Sequence, residues 1–181
     1  MMAYVDTNVI ISFYFDDERS HEIARKIVDR LRGRNTRLYA SPLTIVELFS
    51  AISRKLPNLR LPPHVEIIVK ELKPDEKTIV HILIGSMLES LNITVVDDDP
   101  IFDLFDLFDN RVRMFYIFRK AIENSVSLKL RTLDLIHVSY ALQLASKGLL
   151  DTFVTLDKEI IYKRDFIIKL GLNLEPPLDD M

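Results

Sequence analysis

Hydrophobic residues along the chain fall into short β-rich runs that alternate with longer segments of helical periodicity. The runs that predict strands are AYV at 3–5, RLYAS at 37–41, ITVV at 93–96 and TFVT at 152–155, with LGLNL at 170–174 as a last edge strand. The segments that predict helices are 20–32, the residues after Pro42, about 75–91 and 132–147. This alternation predicts an α/β fold in which helices flank a sheet.

The middle of the chain departs from that alternation. The stretch LPNLRLPP at 56–63 is the clearest break, and we expect a helical insertion around 57–127 within a single domain that spans 1–181. Phenylalanine recurs every third residue from Phe102 to Phe108, beside aspartates with the same spacing. This spacing predicts a long helical segment over 102–122, with Asp99 as its N-cap. Its phenylalanine strip fills either the core or a homodimer interface, and the core is favoured.

Composition and charge exclude several classes of protein. The chain has 181 residues, of which 48% are hydrophobic, so it can bury a core and is not disordered. It contains no cysteine, which excludes disulfides, thiolate metal sites and cysteine nucleophiles. No apolar stretch is long enough to span a bilayer and no signal peptide is recognisable, so we expect a cytoplasmic protein that does not enter a membrane. The net charge of −3 does not by itself indicate a nucleic-acid binder.

Four acidic residues follow predicted strands or begin predicted helices, where they can face one end of the sheet. Asp6 and Asp157 come just after strands, Glu47 lies about one turn into a helix, and Asp134 lies in the first turn of another. Ligands bind at the carboxyl ends of the strands in open parallel sheets. Clustered carboxylates repel one another, and a divalent cation removes that repulsion. Oxygen ligands without cysteine favour Mg²⁺ or Mn²⁺ over zinc.

Each acid also has a purely structural interpretation. Asp6 and Asp157 could be turn or cap residues, and Asp134 would be favoured by a helix dipole without any function. Glu47 is harder to explain in this way, because apolar residues surround it in TIVELFSAI. The joint placement of the four acids therefore carries the hypothesis. His137 could also contact the site, although a histidine packed within its helix is the favoured interpretation.

The sequence resembles the PIN-domain nucleases, which include the VapC-type toxin ribonucleases. The resemblance rests on YVDTNVII, SPLTIVELFSAI, LRTLDLIHVSYAL and FVTLDKEI, in the order of the family, and it excludes roughly 57–127. It implies a PIN-like three-layer fold with a parallel sheet of about five strands between helices, and a metal-dependent site that cleaves RNA or DNA. The positions that match the family's acidic residues are Asp6, Glu47, Asp134 and Asp157. Two further positions, Asn8 and Thr155, match its common polar neighbours.

The function that this resemblance implies is a metal-dependent endoribonuclease, the toxin of a toxin–antitoxin pair with a small antitoxin protein as partner. One or two metal ions would activate a water and position the RNA phosphodiester. Asp6 would be the central ligand and Asp157 would act through water. Three basic residues flank the acids and could bind phosphates, namely Lys129, Arg131 and Lys158.

Two other functions remain open. A non-catalytic PIN-like RNA-binding scaffold would keep the acids for structural reasons alone. A phosphatase of the haloacid dehalogenase type also begins with a strand that ends in aspartate. That chemistry needs a second aspartate two residues later, where this chain has Asn8.

Overall fold

A parallel sheet of five strands forms the centre of the protein in a computed structural model, which describes residues 1–97 and 100–176. The strands are β1 Met2–Val5, β2 Arg37–Ala40, β3 Ile93–Val95, β6 Thr152–Val154 and β7 Asn173–Glu175. Their order across the sheet is β3-β2-β1-β6-β7, and every neighbouring pair is parallel. The predicted α/β fold is therefore confirmed, including the edge strand β7.

Helices cover both faces of the sheet. They are α1 Thr7–Tyr14, α2 His21–Gly33, α3 Pro42–Lys55, α4 Pro63–Leu72, α5 Glu76–Leu91, α6 Tyr116–Leu128, α7 Thr132–Ser146, α8 Lys158–Ile161 and α9 Arg164–Lys169. Because side chains of a strand alternate between faces, β1 contributes to two separate cores. Ala3 and Val5 pack with α1, α2, α3 and α5, whereas Tyr4 packs with α6 and α7 on the other face. This layering places β1 at the centre of the molecule.

The segment 102–115 is a β-hairpin, so the prediction of a helix over 102–122 is wrong for these residues. Strand β4 covers Phe102–Leu107 and pairs antiparallel with β5, Asn110–Phe115. The hairpin is stabilised by cross-strand pairs: the rings of Phe102 and Phe115 stack at 4.6 Å, and Asp106 accepts a hydrogen bond from Arg111 at 2.7 Å. Helix α6 begins only at Tyr116. Asp99, the predicted N-cap, lies outside the described residues.

The phenylalanine strip does not fill the core, which was the favoured prediction for it. Of its three members, Phe102 is close to half exposed, Phe105 is partly buried, and Phe108 at the tip of the hairpin is 96% exposed. The middle of the chain also contributes β3 to the central sheet, so 57–127 is neither wholly helical nor separate from the main fold. The single-domain assignment stays a prediction. Within residues 1–97 and 100–176, no helix combines the length and the apolar character that a membrane span requires.

Candidate metal centre

The carboxyl ends of β1 and β6 bring the first predicted acid into a buried position. Asp6 directly follows β1, and its backbone N–H donates to the carbonyl of Val154 at 2.9 Å. Only 5% of the surface of Asp6 is exposed. Although it occupies the N-cap position of α1, its side chain makes no capping hydrogen bond. The capping interpretation of this residue therefore does not describe its carboxylate.

Two polar side chains hold the Asp6 carboxylate. Thr155 Oγ1 donates to Asp6 Oδ2 at 2.6 Å, and Asn8 Nδ2 donates to the same oxygen at 2.8 Å. Asn8 is itself fixed, because its Oδ1 accepts from the backbone N–H of Leu156 at 3.0 Å. Burial raises the pKa of Asp6, while His137 and Thr155 oppose that rise. The second oxygen, Oδ1, lies 3.9 Å from His137 Nε2.

Glu47 reaches the same place from α3. Its Oε2 accepts hydrogen bonds from Thr7 Oγ1 at 2.5 Å and from His137 Nε2 at 2.7 Å. Burial by itself would raise the pKa of Glu47, but the hydrogen bonds from His137 and Thr7 outweigh it and lower the pKa. The Glu47 side chain is therefore a carboxylate anion held by two donors.

His137 connects these two acids, which the sequence interpretation did not favour. It is packed within α7, with 1% of its surface exposed, and it also contacts the site. Its Nε2 lies 2.7 Å from Glu47 Oε2 and 3.9 Å from Asp6 Oδ1. Burial would lower the pKa of His137, but its interactions with Glu47 and Asp6 raise it overall. The sequence feature that could have indicated this contact is the position of His137 three residues after Asp134, which places both residues on one face of the helix.

Asp134 lies beside this cluster in the first turn of α7. It lines a groove together with Asp6, Glu47 and His137. Burial, followed by the charges of Asp157 and Asp6, raises the pKa of Asp134 to about 6. Three of the four predicted acids therefore line one groove at the carboxyl edge of the sheet.

Asp157 has a different position. Its side chain caps α8 by accepting from the backbone N–H of Glu159 at 2.7 Å, as the structural interpretation anticipated. It is not among the residues that line the groove, yet its charge raises the pKa of Asp134. Its backbone N–H also donates to Thr155 Oγ1 at 3.0 Å, the hydroxyl that donates to Asp6. Asp157 thus borders the cluster without joining its centre.

The cluster has a donor set suited to a divalent cation. One carboxylate oxygen each from Asp6 and Glu47 and one ring nitrogen of His137 lie within 4.8 Å of one another. The pKa of the neighbouring Asp134 is raised partly by the charges of other carboxylates, as repulsion within a crowded acidic site predicts. Carboxylate oxygens suit Mg²⁺ and Mn²⁺, whereas both ring nitrogens of His137 are engaged by Glu47 and Tyr4, so His137 supports the acids rather than binding the ion itself. The residues present therefore fit a bound metal ion.

The three predicted phosphate-binding residues lie on exposed surface near these elements. Lys129 terminates α6 and Lys158 begins α8, while Arg131 precedes α7 and forms an ion pair with Glu159 at 3.0 Å. None of the three is among the residues that line the groove around Asp6. Arg54 does line it, seven residues after Glu47 on the same face of α3, and sequence reasoning missed it.

The family model described as PIN domain matches residues 3–166 of the sequence. The chain belongs to the PIN domain family. The match includes all four acidic positions on which the resemblance rested, and it extends through the middle segment that the resemblance did not cover. The predicted family membership is thus confirmed.

Two solved structures resemble this PIN domain. The first is described as VapBC2 from Rickettsia felis bound to a DNA fragment from their promoter. Its sequence identity to this chain is 16% and its TM-score is 0.54, and the alignment covers 97% of this chain and 98% of that one. The second is PAE2754 from Pyrobaculum aerophilum, with 16% identity and a TM-score of 0.45, over 94% and 95% of the two chains. At this identity, the first likeness supports the fold. No curated protein matches the sequence significantly.

Proposed function

We propose that this PIN domain is a metal-dependent endoribonuclease that hydrolyses RNA phosphodiester bonds. The observation that carries the proposal is the meeting of Asp6, Glu47 and Asp134 in one groove at the carboxyl edge of the sheet. Asp6 is almost wholly buried, and burying a charge beside other acids is costly unless a cation compensates it. A stability role alone gives no reason to concentrate carboxylates there.

In the proposed mechanism, Asp6 and Glu47 would hold Mg²⁺ or Mn²⁺, with Asp134 beside them. The bound ion would supply Lewis acidity, which lowers the pKa of a water and polarises the phosphate. Thr155 and Asn8 keep Asp6 in place by donating to its Oδ2. Without a metal ion, burial and the charges of Asp157 and Asp6 raise the pKa of Asp134 to about 6, and a bound cation would offset that repulsion. Asp157 would act on the site through water.

The groove offers features that suit a nucleic-acid backbone. Arg54 lies at its margin on the face of α3 that carries Glu47, and Val46 and Leu133 expose 65% and 49% of their surfaces beside the acids. A phosphate on Arg54 and sugar or base contacts with the apolar residues would position the strand. Lys129, Arg131 and Lys158 are proposed as additional phosphate contacts on the surrounding surface.

We further propose that the protein is the toxin of a toxin–antitoxin pair and binds a small antitoxin. The solved structure with a TM-score of 0.54 is a VapBC2 assembly, which supports this assignment. The exposed rings of Phe102 and Phe115 on the hairpin support the further proposal that two copies associate as a homodimer.

One observation favours the scaffold alternative. Asp6 and Glu47 have protein hydrogen-bond donors, namely Thr155 and Asn8 for the first and Thr7 and His137 for the second. Asn8, in contrast, speaks against the phosphatase, because it donates to Asp6 and cannot act as the required acid.

Cleavage of labelled RNA in the presence of Mn²⁺ or EDTA tests the proposal. We expect cleavage with Mn²⁺ that stops with EDTA and with the Asp6→Asn variant, giving products with 5′-phosphate ends. Retained RNA binding without any metal-dependent cleavage would instead support the scaffold. Cleavage by Asp6→Asn at the wild-type rate would refute the assigned centre.

A further inference from the structure

A closed chain of buried hydrogen bonds links the three elements that carry the groove acids. It leaves α3 at Glu47, passes through His137 on α7 and Tyr4 on β1, and returns to α3 at its N-cap, Ser41. Tyr4, Ser41 and His137 are each at most 1% exposed. Asp6 lies two residues after Tyr4, and Asp134 three residues before His137. The chain therefore joins the segments from which all three acids extend.

The chemistry of the groups fixes the direction of the hydrogen bond to Glu47 and restricts the other two. A carboxylate can only accept, so His137 Nε2–H donates to Glu47 Oε2 across 2.7 Å. Tyr4 Oη lies 2.7 Å from Nδ1: in the neutral imidazole the Tyr4 hydroxyl donates to Nδ1, and in the imidazolium, which the raised pKa of His137 favours, Nδ1–H donates to the Tyr4 oxygen. The Tyr4 oxygen can in turn accept from Ser41 Oγ at 2.7 Å. The two hydroxyls and both ring nitrogens of His137 thereby each have a hydrogen-bond partner.

The return to Ser41 gives this chain a geometric effect. Ser41 Oγ also accepts from the backbone N–H of Thr44 at 3.4 Å, which caps α3. The cap and Glu47 belong to the same helix, so the contacts of His137 and Tyr4 fix both the position of α3 and the direction of its glutamate. Removing one hydroxyl from Tyr4 would leave His137 free to change its tautomer or orientation.

We infer that Tyr4 and His137 are positioning residues that orient Glu47 toward a metal ion, with Ser41 completing the chain. This inference rests on the proposed function, since it concerns the ion that the nuclease would use. It goes beyond the acids themselves, because neither Tyr4 nor the N-cap of α3 touches the groove. Hydrogen-bond partners behind a metal ligand typically change metal affinity or activity by about 10–100-fold when they are removed.

Mn²⁺ binding to folded variants tests the inference directly. Electron paramagnetic resonance of free Mn²⁺ measures the affinity without relying on cleavage. We expect Tyr4→Phe and His137→Leu to bind Mn²⁺ about 10–100-fold more weakly than wild type. His137→Gln should recover part of the affinity, because its amide can still donate to Glu47. Rescue by this variant would not be expected if His137 only filled space.

Tyr14→Phe is the matched control. It also removes a hydrogen-bonded tyrosine hydroxyl, which contacts Ser86 at 2.7 Å, away from the groove. The control should bind Mn²⁺ as the wild type does. If Tyr4→Phe keeps a folded circular dichroism spectrum and wild-type affinity, the positioning role is overturned. This remains decisive even if His137→Leu does not fold.

Nitrogen-15 NMR of the neutral His137 ring separates this inference from the proposed function. The hydrogen bond to Glu47 requires a hydrogen atom on His137 Nε2, and loss of the Tyr4 hydroxyl should shift the Nδ1 signal. A neutral wild-type ring with its hydrogen on Nδ1 rather than Nε2, or an unchanged Nδ1 signal in Tyr4→Phe, would overturn the hydrogen-bonded chain whatever the protein cleaves. A wild type with this tautomer that binds no Mn²⁺ would overturn the metal role and the proposed nuclease mechanism.

Discussion

Replacing Asp134 with asparagine should stabilise the metal-free protein above its folded-state pKa. Burial and the charges of Asp157 and Asp6 raise the pKa of Asp134 from 3.8 to about 6. The folded protein therefore binds this proton more tightly than the unfolded chain does. The stability that the protonated group contributes is fully present below pH 3.8 and is lost as the pH rises through 6. Asparagine cannot ionise, so the variant escapes that loss.

The size of the effect follows from the shift. Each pKa unit corresponds to about 1.4 kcal/mol, so a rise of roughly two units gives an upper limit of about 3 kcal/mol. Because Asp134 is partly exposed to solvent, screening reduces this to about 1–2 kcal/mol. The carboxylate also lies in the first turn of α7, where its interaction with the helix dipole is favourable by roughly 0.3–1 kcal/mol. A net gain of about 1 kcal/mol remains, or roughly 2–4 °C in the melting temperature.

Thermal unfolding in EDTA across the acid-to-neutral range measures this gain. The difference between Asp134→Asn and wild type should be absent below pH 3.8, grow up to about 6 and then stay constant. Asp165→Asn is the matched control, because Asp165 is an exposed aspartate in the first turn of α9. That control should lose a few tenths of a kcal/mol through the helix dipole alone.

The reasoning would be refuted by an Asp134→Asn variant that is less stable than wild type at neutral pH. It would equally be refuted by a gain that does not depend on pH, since repulsion among carboxylates exists only when they are ionised. The first result would show that Asp134 is mainly a helix-dipole residue, and the second that the gain does not come from its ionisation.

Three further predictions concern the metal and the substrate. Asp6→Asn should abolish cleavage and leave the metal-free protein at least as stable as wild type, because the carbonyl of the new amide can still accept hydrogen bonds from Thr155 and Asn8. Calorimetry and a nuclease assay check both expectations, and a clear loss of stability would show that Asp6 is mainly structural. Mn²⁺ at about 100 times its dissociation constant should stabilise wild type by about 2.7 kcal/mol and Asp6→Asn far less, as melting curves with and without the ion will show. Neutralising Lys129, Arg131 or Lys158 should weaken RNA binding for all sequences and reduce the salt slope by about one, and unchanged slopes for all three would make them ordinary surface charges.

The local pattern of the sequence was sufficient to predict the central sheet and to indicate that three of the acidic residues lie in one groove, while their role as a metal site stays a prediction. Short apolar runs predicted its five strands, and the central strands β1 and β6 are buried on both faces, as their nearly continuous hydrophobicity indicates. The position of Asp6 after β1, and of Glu47 and Asp134 near helix starts, predicted their meeting because parallel strands end at one edge. Asp157 was less predictable, since capping α8 and bordering the cluster both fit its place in the sequence.

The hairpin shows where periodicity misleads. A spacing of three for phenylalanine and aspartate fits a helical stripe, but the partners of these residues lie on a later segment. Phe115 stacks on Phe102, and Arg111 pairs with Asp106, only once β4 and β5 are antiparallel. Asp103 of β4 also forms an ion pair with Arg119 of α6. These cross-strand and helix contacts outweigh the local helical spacing.

For the central sheet and the helices around it, the sequence by itself determined which residues could be strands, helices and metal ligands, because those properties depend on side-chain type and spacing over a few residues. Only the tertiary structure decided how His137 is used. Its two partners, Glu47 and Tyr4, are 90 and 133 residues away along the chain. Because His137 and Tyr4 are buried away from water, they depend on each other and on Glu47 for their hydrogen bonds. That mutual dependence arises from the packing of α3 and α7 around β1, which no local pattern contains.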